Sequence, residues 1–125
     1  MTTFRAVVLQ HFKHPRNRGA LEEANASEEG ANPLCGDRIR VQLRVIDGVI
    51  ADARFTADAC ALCIASASVM TDHVRGMSTD DAMHLEIAVI HHALEGEPPP
   101  GRLKCTVLPL DTLRRALTTR RSEPP

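Results

Sequence analysis

The sequence contains no tryptophan and no tyrosine, and its aromatic content is limited to three phenylalanines. Proteins that bind single-stranded nucleic acid stack bases on aromatic side chains, so this class is nearly excluded. An excess of charge of one sign is also missing, because 15 Lys and Arg residues stand against 16 Asp and Glu residues. A formal net charge of −1 provides no global field that would attract nucleic acid. We therefore expect an aliphatic, alanine-rich core and no nucleic-acid partner.

Long hydrophobic runs are absent as well. The longest uncharged apolar stretch, residues 59–71, is rich in Ser and Ala and is shorter than the roughly 20 residues that span a bilayer. The N-terminus shows no apolar signal segment. We therefore expect a cytoplasmic protein with no membrane partner. The length of 125 residues predicts a single domain over residues 1–125, with residues 122–125 as a frayed tail.

The first quarter of the chain is predicted to form one helix and one long loop. Thr2 or Thr3 can cap a helix that must end before Pro15, because the residue before a proline avoids the helical region. Residues 21–30 carry four glutamates and few apolar side chains. That composition is typical of a solvated, mobile loop.

Two stretches alternate apolar and polar residues, as half-buried strands do: residues 39–45 and 49–57. The Asp-Gly pair between them suggests a two-residue hairpin turn. That register would pair Leu43 with Asp52 and place a charge on the apolar face. A three-residue loop over residues 46–48 makes the two apolar faces coincide. We therefore predict the longer loop, with its glycine in the left-handed conformation.

The second half of the chain is predicted to be helical. Residues 61–74 are rich in Ala and Ser and form a tightly packed helix that Gly76 stops. Ser78, with Asp81 three residues later, starts a further helix that runs to Gly96.

The C-terminal part begins with a stiff, extended strut of three prolines at residues 98–100. A short loop at residues 102–105 leads from the strut into a leucine-rich last helix. The order of helix, strands and helices predicts an α+β domain, in which a small antiparallel sheet of about three strands carries helices on one face.

Four cysteines are the unusual part of the composition: Cys35, Cys60, Cys63 and Cys105. In a reducing cytoplasm thiols stay reduced, so a metal or redox role is favoured over a disulfide framework. The alternative is that they are small buried apolar residues. All except Cys63 lie at predicted junctions between elements, from which side chains can converge at one end of a sheet. Asp37 projects to the same side as Cys35 if that stretch is extended.

Four motifs follow one another along the chain. They are His-x-x-x-Pro-Arg-Asn-x-Gly at residues 11–19, Asn-Pro-x-Cys-Gly-Asp at residues 32–37, a cysteine before an Ala/Ser-rich helix at residues 60–68, and a cysteine before a leucine-rich helix at residues 105–108. With these motifs, and with Asp-Ala-Arg-Phe at residues 52–55, the chain resembles the NifU/IscU/SufU family of iron–sulfur cluster assembly scaffolds nearly end to end.

The resemblance implies a SufE/NifU-like fold and a scaffold rather than an enzyme that turns over. Cys35, Cys60 and Cys105 would bind an iron–sulfur cluster, expected to be [2Fe–2S], or receive sulfur from a pyridoxal-phosphate cysteine desulfurase. Asp37 would be the fourth, exchangeable ligand, and the finished cluster would pass to apo iron–sulfur proteins. Thiolates suit both iron–sulfur clusters and zinc, and one hard carboxylate makes a weaker corner, so zinc fits the same site.

Cys35 and Cys105 are the candidate persulfide acceptors in this interpretation. Lys104, next to Cys105, would lower the pKa of that thiol and is the third candidate for a catalytic role. IscU-type members carry a histidine where this chain has Lys104. SufU-type members resemble the chain here, with Arg102 and Lys104 around Cys105, but have a longer stretch before the last cysteine. The branch of the family therefore stays open.

The proline strut also departs from the family. IscU carries Leu-Pro-Pro-Val-Lys, which a dedicated Hsp70-type chaperone reads, whereas this chain has Pro-Pro-Pro-Gly-Arg at residues 98–102. Recognition by that chaperone is therefore not expected.

Several residues have a plain interpretation beside a functional one. Cys63 forms a C-x-x-C pair with Cys60, which alone suggests zinc or thioredoxin-like redox chemistry. The family usually has Ser or Ala there, so we favour a buried helix residue. His84 and His91 are interpreted as surface histidines. Four arginines make the end of the last helix basic: Arg114, Arg115, Arg120 and Arg121. They form either a solvated helix end or a docking patch for the desulfurase.

Two alternatives to the scaffold remain open. The first is a zinc-bound sulfur acceptor of the SufU type, a sulfurtransferase-like protein that stimulates the desulfurase. The second is a small zinc-stabilised interaction domain without sulfur traffic. Metal content and the effect on desulfurase turnover separate the three.

Overall fold

The computed structural model describes residues 5–119. The elements in chain order are α1 (Ala6–Lys13), β1 (Ala26–Asn32), β2 (Asp37–Ile46), β3 (Val49–Asp58), α2 (Ala61–Val74), α3 (Thr79–Met83), α4 (Ile87–Ala93), a 3₁₀ turn (Pro100–Arg102) and α5 (Leu103–Thr119). The predicted caps Thr2 and Thr3, Arg120, Arg121 and the predicted tail lie outside the described residues. No described helix is long and apolar enough to cross a membrane.

The three strands form one antiparallel sheet in the order β1-β2-β3. Alternate residues of β2, Ile39, Val41, Leu43 and Val45, are buried, while Arg38 and Arg40, on the other face of the strand, are exposed. The helices pack on the buried face, where α5 contacts β1 and β2 and α2 contacts β3. The predicted α+β fold, with helices on one face of a small antiparallel sheet, is confirmed.

The hairpin between β2 and β3 differs from its prediction. Ile46 pairs with Val49, so the turn has two residues, and both have positive φ values, 51° at Asp47 and 75° at Gly48. This combination is the I′ turn that suits the strand twist, and it confirms the left-handed glycine. The predicted three-residue loop is wrong.

A β-bulge explains how the shorter turn keeps the apolar faces together. The register shifts between Arg44 and Val45, so that Arg44 pairs with Asp52 and Val45 pairs with Ile50. One extra residue on β3 is absorbed there, and Ile50 joins the buried face. Alternation read without a bulge had placed Ile50 on the other face.

Residues 21–30 were expected to form a loop, yet β1 begins at Ala26. Small residues, Ala26 and Gly30, face the core, and this is why the segment lacks the usual strand signal. A Cβ atom on Gly30 would lie 2.1 Å from Thr112 Oγ1 of α5. Close packing of α5 therefore requires glycine here and favours a strand without large apolar side chains.

The helical half follows the prediction only in part. Helix α2 has its predicted bounds, and Ser78 Oγ accepts a hydrogen bond from the Asp81 N–H, as expected for a cap. The helix predicted to run on to Gly96 is instead broken into α3 and α4. The Leu85 carbonyl between them accepts a hydrogen bond of 2.6 Å from Arg114 Nη2, so α5 takes the place of a helical partner.

The predicted loop before the last helix does not exist. Pro100 opens the 3₁₀ turn, which passes directly into α5 at Leu103. Cys105 therefore lies within the first turn of α5 rather than ahead of the helix.

Candidate functional site

Cys35 lies on a tight turn between β1 and β2. The N–H groups of Cys35 and Gly36 both donate to the Asn32 carbonyl, at 3.0 and 2.8 Å. Gly36 has a φ of +75°, which is unfavourable for other residues, so the glycine allows the turn to close. The Cys35 side chain is exposed, as is Leu34 before it, at 92%. The turn presents a thiol to solvent.

Asp37, the first residue of β2, is buried with 3% exposure. Its Oδ1 accepts a hydrogen bond of 3.0 Å from the backbone N–H of Cys60, the residue that precedes α2. Its Oδ2 lies 3.9 Å from the Cys60 sulfur. The carboxylate thus ties the start of β2 to the start of α2 and fixes the position of Cys60.

Cys105 approaches the same point from α5 and is fully buried. Asn32 Nδ2 donates a hydrogen bond of 3.2 Å to the Lys104 carbonyl, which connects the Cys35 turn to the first turn of α5. One ligand atom each of Cys35, Asp37 and Cys105 lies within 4.8 Å of the other two. Two thiols and a carboxylate from three elements therefore meet at one end of the sheet.

Cys60 and Arg102 border this cluster. Cys60 is half-buried and lies outside the 4.8 Å group, although its sulfur is close to Asp37. The Arg102 guanidinium lies beside the sulfurs of Cys60 and Cys105, and its electrostatic and hydrogen-bond interactions with them raise the pKa of Arg102. The cluster is thus flanked by one cation of the chain itself.

The buried thiols resist ionisation in the metal-free protein. Burial raises the pKa of Cys105 well above its ordinary range, and Cys60 and Asp37 add to the rise. Burial likewise raises the pKa of Cys63, and negative charge on Asp37 adds to it. A bound cation would favour the ionised form of both thiols, because metal binding replaces protons on thiol ligands. The donor set therefore fits a thiophilic cation or an iron–sulfur cluster.

The two remaining candidates differ from each other in environment. Lys104 is exposed on the outer side of the first turn of α5. Cys63 is fully buried in the first turn of α2, which agrees with a buried helix residue. The expectation that Lys104 lowers the pKa of Cys105 is wrong, because burial raises that pKa. A catalytic role for Lys104 stays a prediction.

His91 was expected on the surface, and that expectation is wrong. It is buried, and its Nε2 lies 2.8 Å from Thr106 Oγ1, next to Cys105 in α5. Ser66 of α2 donates a hydrogen bond of 2.6 Å to the Thr106 carbonyl. Burial lowers the pKa of His91, so the imidazole is held neutral. Adjacent histidines on a short helix gave no sign that one of them faces the core. His84 is exposed, as predicted.

The motif at residues 11–19 contacts α2 and β3 and contributes no residue to the group formed by Cys35, Asp37 and Cys105. His11 Nδ1 and the Arg16 N–H both contact Ser68 Oγ at 2.8 Å, which docks α1 on α2. The Asn17 carbonyl accepts from the Phe55 N–H, and the Phe55 carbonyl accepts from Gly19. The segment thereby continues the sheet along the free edge of β3.

The basic residues of α5 bind the protein's own backbone. Arg114 donates to the Leu85 carbonyl and Arg115 to the Glu29 carbonyl, the latter at 2.8 Å. Both arginines therefore have structural partners. Their role in docking a desulfurase stays a prediction.

A family model and the similar proteins of known name agree with one another. The family described as NifU-like N terminal domain matches residues 3–123. The iron–sulfur cluster assembly scaffold protein IscU of Escherichia coli is 36% identical over 121 residues, covering 93% of this chain and 92% of that protein. IscU 1 of Archaeoglobus fulgidus is 34% identical over 110 residues, covering 88% and 71%.

A solved structure agrees in fold. It comes from Fervidobacterium islandicum AW-1, is described as an iron–sulfur cluster assembly scaffold protein for the SUF system, and superposes with a TM-score of 0.79 at 26% identity, covering 91% of this chain and 96% of that one. With a family match over nearly its whole length and relatives above 30% identity, this chain belongs to the family of NifU-like N-terminal domains.

Proposed function

We propose that this chain is a scaffold on which an iron–sulfur cluster is assembled from iron and from sulfur supplied by a cysteine desulfurase, and then passed to apo-proteins. The observation that carries the proposal is the convergence of Cys35, Asp37 and Cys105 within 4.8 Å, with Cys60 beside them. Three sulfur donors and one carboxylate oxygen are a complete set of four ligands for a cluster.

The mixture of donors suits temporary binding. Thiolates bind iron and zinc strongly, whereas a carboxylate oxygen is a harder and weaker ligand for them. Asp37 also keeps its hydrogen bond from the Cys60 N–H, so the carboxylate has a second partner when a cluster leaves. A scaffold must release what it builds, and Asp37 is the corner at which release begins.

Exposure separates the two candidate persulfide acceptors. Cys35 lies on a solvent-exposed turn beside the fully exposed Leu34, whereas Cys105 is buried. A desulfurase must bring its own persulfide into contact with the accepting thiol, so Cys35 is the first acceptor. Cys105 holds metal, and Lys104 beside it is exposed to a docked partner.

A zinc-bound sulfur acceptor is the second candidate. Zinc takes the same three sulfurs and one oxygen in a tetrahedral site. Arg102, beside the sulfurs of Cys60 and Cys105, places a cation where SufU-type proteins resemble this chain.

Chemical reconstitution tests the proposal. The metal-free protein is incubated with ferrous iron and sulfide without oxygen, and visible absorption is recorded after desalting. Because the sequence has no Trp and no Tyr, the near-UV absorption also comes almost entirely from the cluster. We expect a brown protein, a colourless Cys105→Ser variant, and a brown Asp80→Asn control, because the Asp80 side chain is exposed on α3 and lies outside the proposed site. A colourless wild type that retains zinc and raises desulfurase turnover would instead establish the acceptor role.

A further inference from the structure

The proposed ligand set of Cys35, Asp37, Cys60 and Cys105 leaves the fourth cysteine of the chain, Cys63, without a role. Cys60 is the N-cap of α2, and Cys63 lies three residues later in the first turn. The Ile64 N–H donates to the Cys60 carbonyl at 3.1 Å, so Cys60, although its own backbone is extended, closes the first hydrogen-bonded turn of α2 together with Cys63. Residues three apart on a helix have Cα atoms about 5 Å apart. That spacing lies within the range that a disulfide spans.

The two thiols differ in access. Cys60 is half-buried, whereas Cys63 is fully buried and lies outside the group formed by Cys35, Asp37 and Cys105. Asp37 holds the backbone of Cys60 through the 3.0 Å hydrogen bond to its N–H. An accessible thiol at a helix start, backed by a buried thiol one turn away, is the arrangement of a dithiol that exchanges disulfides.

We propose that Cys63 is a resolving thiol. After the Cys60 sulfur has taken the outer sulfur from a persulfide on Cys35, with Cys35 leaving as the thiol, Cys63 attacks the Cys60 sulfur and releases that outer sulfur as sulfide next to the metal-binding group. The proposal rests on the proposed function, since a scaffold that receives persulfide sulfur must convert it to sulfide before a cluster forms. A ligand role alone requires no second thiol at this spacing.

The step balances within the chain. The Cys63 sulfur forms a bond to the Cys60 sulfur, and the bond between the Cys60 sulfur and the outer sulfur breaks. The outer sulfur leaves as hydrosulfide with the electron pair of the broken bond and the proton of Cys63. Sulfane sulfur is thereby reduced by two electrons, and the two cysteines are oxidised to a disulfide. A low-molecular-weight dithiol reduces that disulfide and returns Cys60 to the cluster.

The direction of attack agrees with the burial of the two residues. Thiol–disulfide exchange needs the attacking, central and leaving sulfurs nearly in line. Cys63 approaches from the protein interior, so the leaving sulfur departs on the opposite, accessible side of Cys60. Asp37 Oδ2 lies 3.9 Å from the Cys60 sulfur. Sulfide released from Cys60 therefore appears beside a proposed metal ligand.

Inorganic polysulfide provides a test that needs neither iron nor a desulfurase. The metal-free, reduced protein is treated with sodium tetrasulfide without oxygen, desalted, and left to stand. Released sulfide is measured, and tryptic peptides are analysed by mass spectrometry. Residues 55–75 contain both cysteines and no internal Lys or Arg, so one peptide reports on the pair. Loss of two hydrogens marks the disulfide, and gain of one sulfur marks a surviving persulfide.

We expect wild type to release sulfide as the Cys60–Cys63 disulfide appears. Cys63→Ala and Cys63→Ser should keep the persulfide on Cys60 and release sulfide at least about tenfold more slowly. Unchanged zinc content in these variants shows that the site and the fold are intact. A stable Cys60 persulfide in wild type, or equal sulfide release from the variants, would overturn the resolving role. Neither result depends on whether the chain assembles a cluster, which the reconstitution measures separately.

Discussion

The turn that carries Cys35 and the first turn of α5 that carries Cys105 present the same ligand atom from opposite environments. One thiol is exposed at a bend that needs the left-handed Gly36, and the other is fully buried in a helix packed on the sheet. Their ligand atoms are nevertheless within 4.8 Å of each other. In the proposed function, this difference corresponds to a division of work: the exposed side would load sulfur and release the cluster, and the buried side would hold it.

The largest expected effect is the loss of zinc affinity when Cys105 or Cys35 is replaced by serine, each in a separate variant. Cys105→Ser should weaken zinc binding by more than about 100-fold, because even groups that only orient metal ligands contribute about 10- to 100-fold. Cys35→Ser should weaken zinc binding less and abolish sulfur acceptance from a desulfurase. Competition with a chelator measures the first, and mass spectrometry for persulfide measures the second. Equal losses of zinc affinity in both variants would remove the distinction between the two sides.

Asp37 lies beside both the exposed Cys35 and the buried Cys105. Substituting it by Ala or by Asn distinguishes its role in cluster release from its contribution to the free energy of unfolding. Asp37→Ala leaves the buried Cys60 N–H without its acceptor and should cost about 1–3 kcal/mol of unfolding free energy. Asp37→Asn keeps an oxygen for that N–H and should cost less. Both variants should transfer a reconstituted cluster to an apo-ferredoxin more slowly, since the weak corner is lost. Transfer at the wild-type rate would exclude Asp37 from release.

Alkaline pH should destabilise the metal-free protein, because the buried Cys105 thiol ionises more readily in the unfolded chain than in the folded protein. Burial raises the pKa of Cys105 from 9.0 to about 12 in the folded state. The folded protein therefore holds this proton more tightly than the unfolded chain, so its stabilising contribution is complete below pH 9 and is lost as pH rises toward 12. Thermal midpoints measured from pH 7 to pH 10 should fall at the alkaline end. Cys105→Ser should flatten the decline in part, because burial also raises the pKa of Cys63.

The smallest expected effect concerns the contact between the two turns. Asn32→Ala removes the 3.2 Å hydrogen bond from Nδ2 to the Lys104 carbonyl and should cost about 0.5–1.5 kcal/mol. Because this bond ties the Cys35 turn to α5, zinc affinity should fall slightly while the fold persists. Denaturant unfolding and chelator competition on the same preparation measure both. A loss of zinc as large as that of Cys105→Ser would contradict the view of α5 as an independently fixed side.

Sequence periodicity predicted strand β2, in which apolar residues alternate with arginines and a glutamine. The bounds of α2 were predicted instead from its Ala/Ser composition and from Gly76. Strand β1 was missed because Ala26 and Gly30 face the core, where α5 leaves no room for larger side chains. Small residues carry no periodic signal, so packing against a distant helix could not be inferred.

The site was predictable in composition but not in geometry. Junction positions and family motifs identified Cys35, Asp37, Cys60 and Cys105, and the first, second and fourth lie together in the fold. Single sequence gave no indication that Asp37 accepts from the Cys60 N–H or that Cys105 lies inside α5. These contacts depend on the long-range placement of β2, α2 and α5. The role of each residue in binding a cluster stays a prediction.

The most direct measurement of the central claim is cluster formation driven by a desulfurase. The chain, a pyridoxal-phosphate cysteine desulfurase, cysteine, ferrous iron and a dithiol are mixed without oxygen, and visible absorption is followed before and after an apo-ferredoxin is added. We predict that cluster absorption appears only with the chain, is lost in Cys105→Ser, and then moves to the ferredoxin. A chain that stays colourless and leaves desulfurase turnover unchanged would contradict the account.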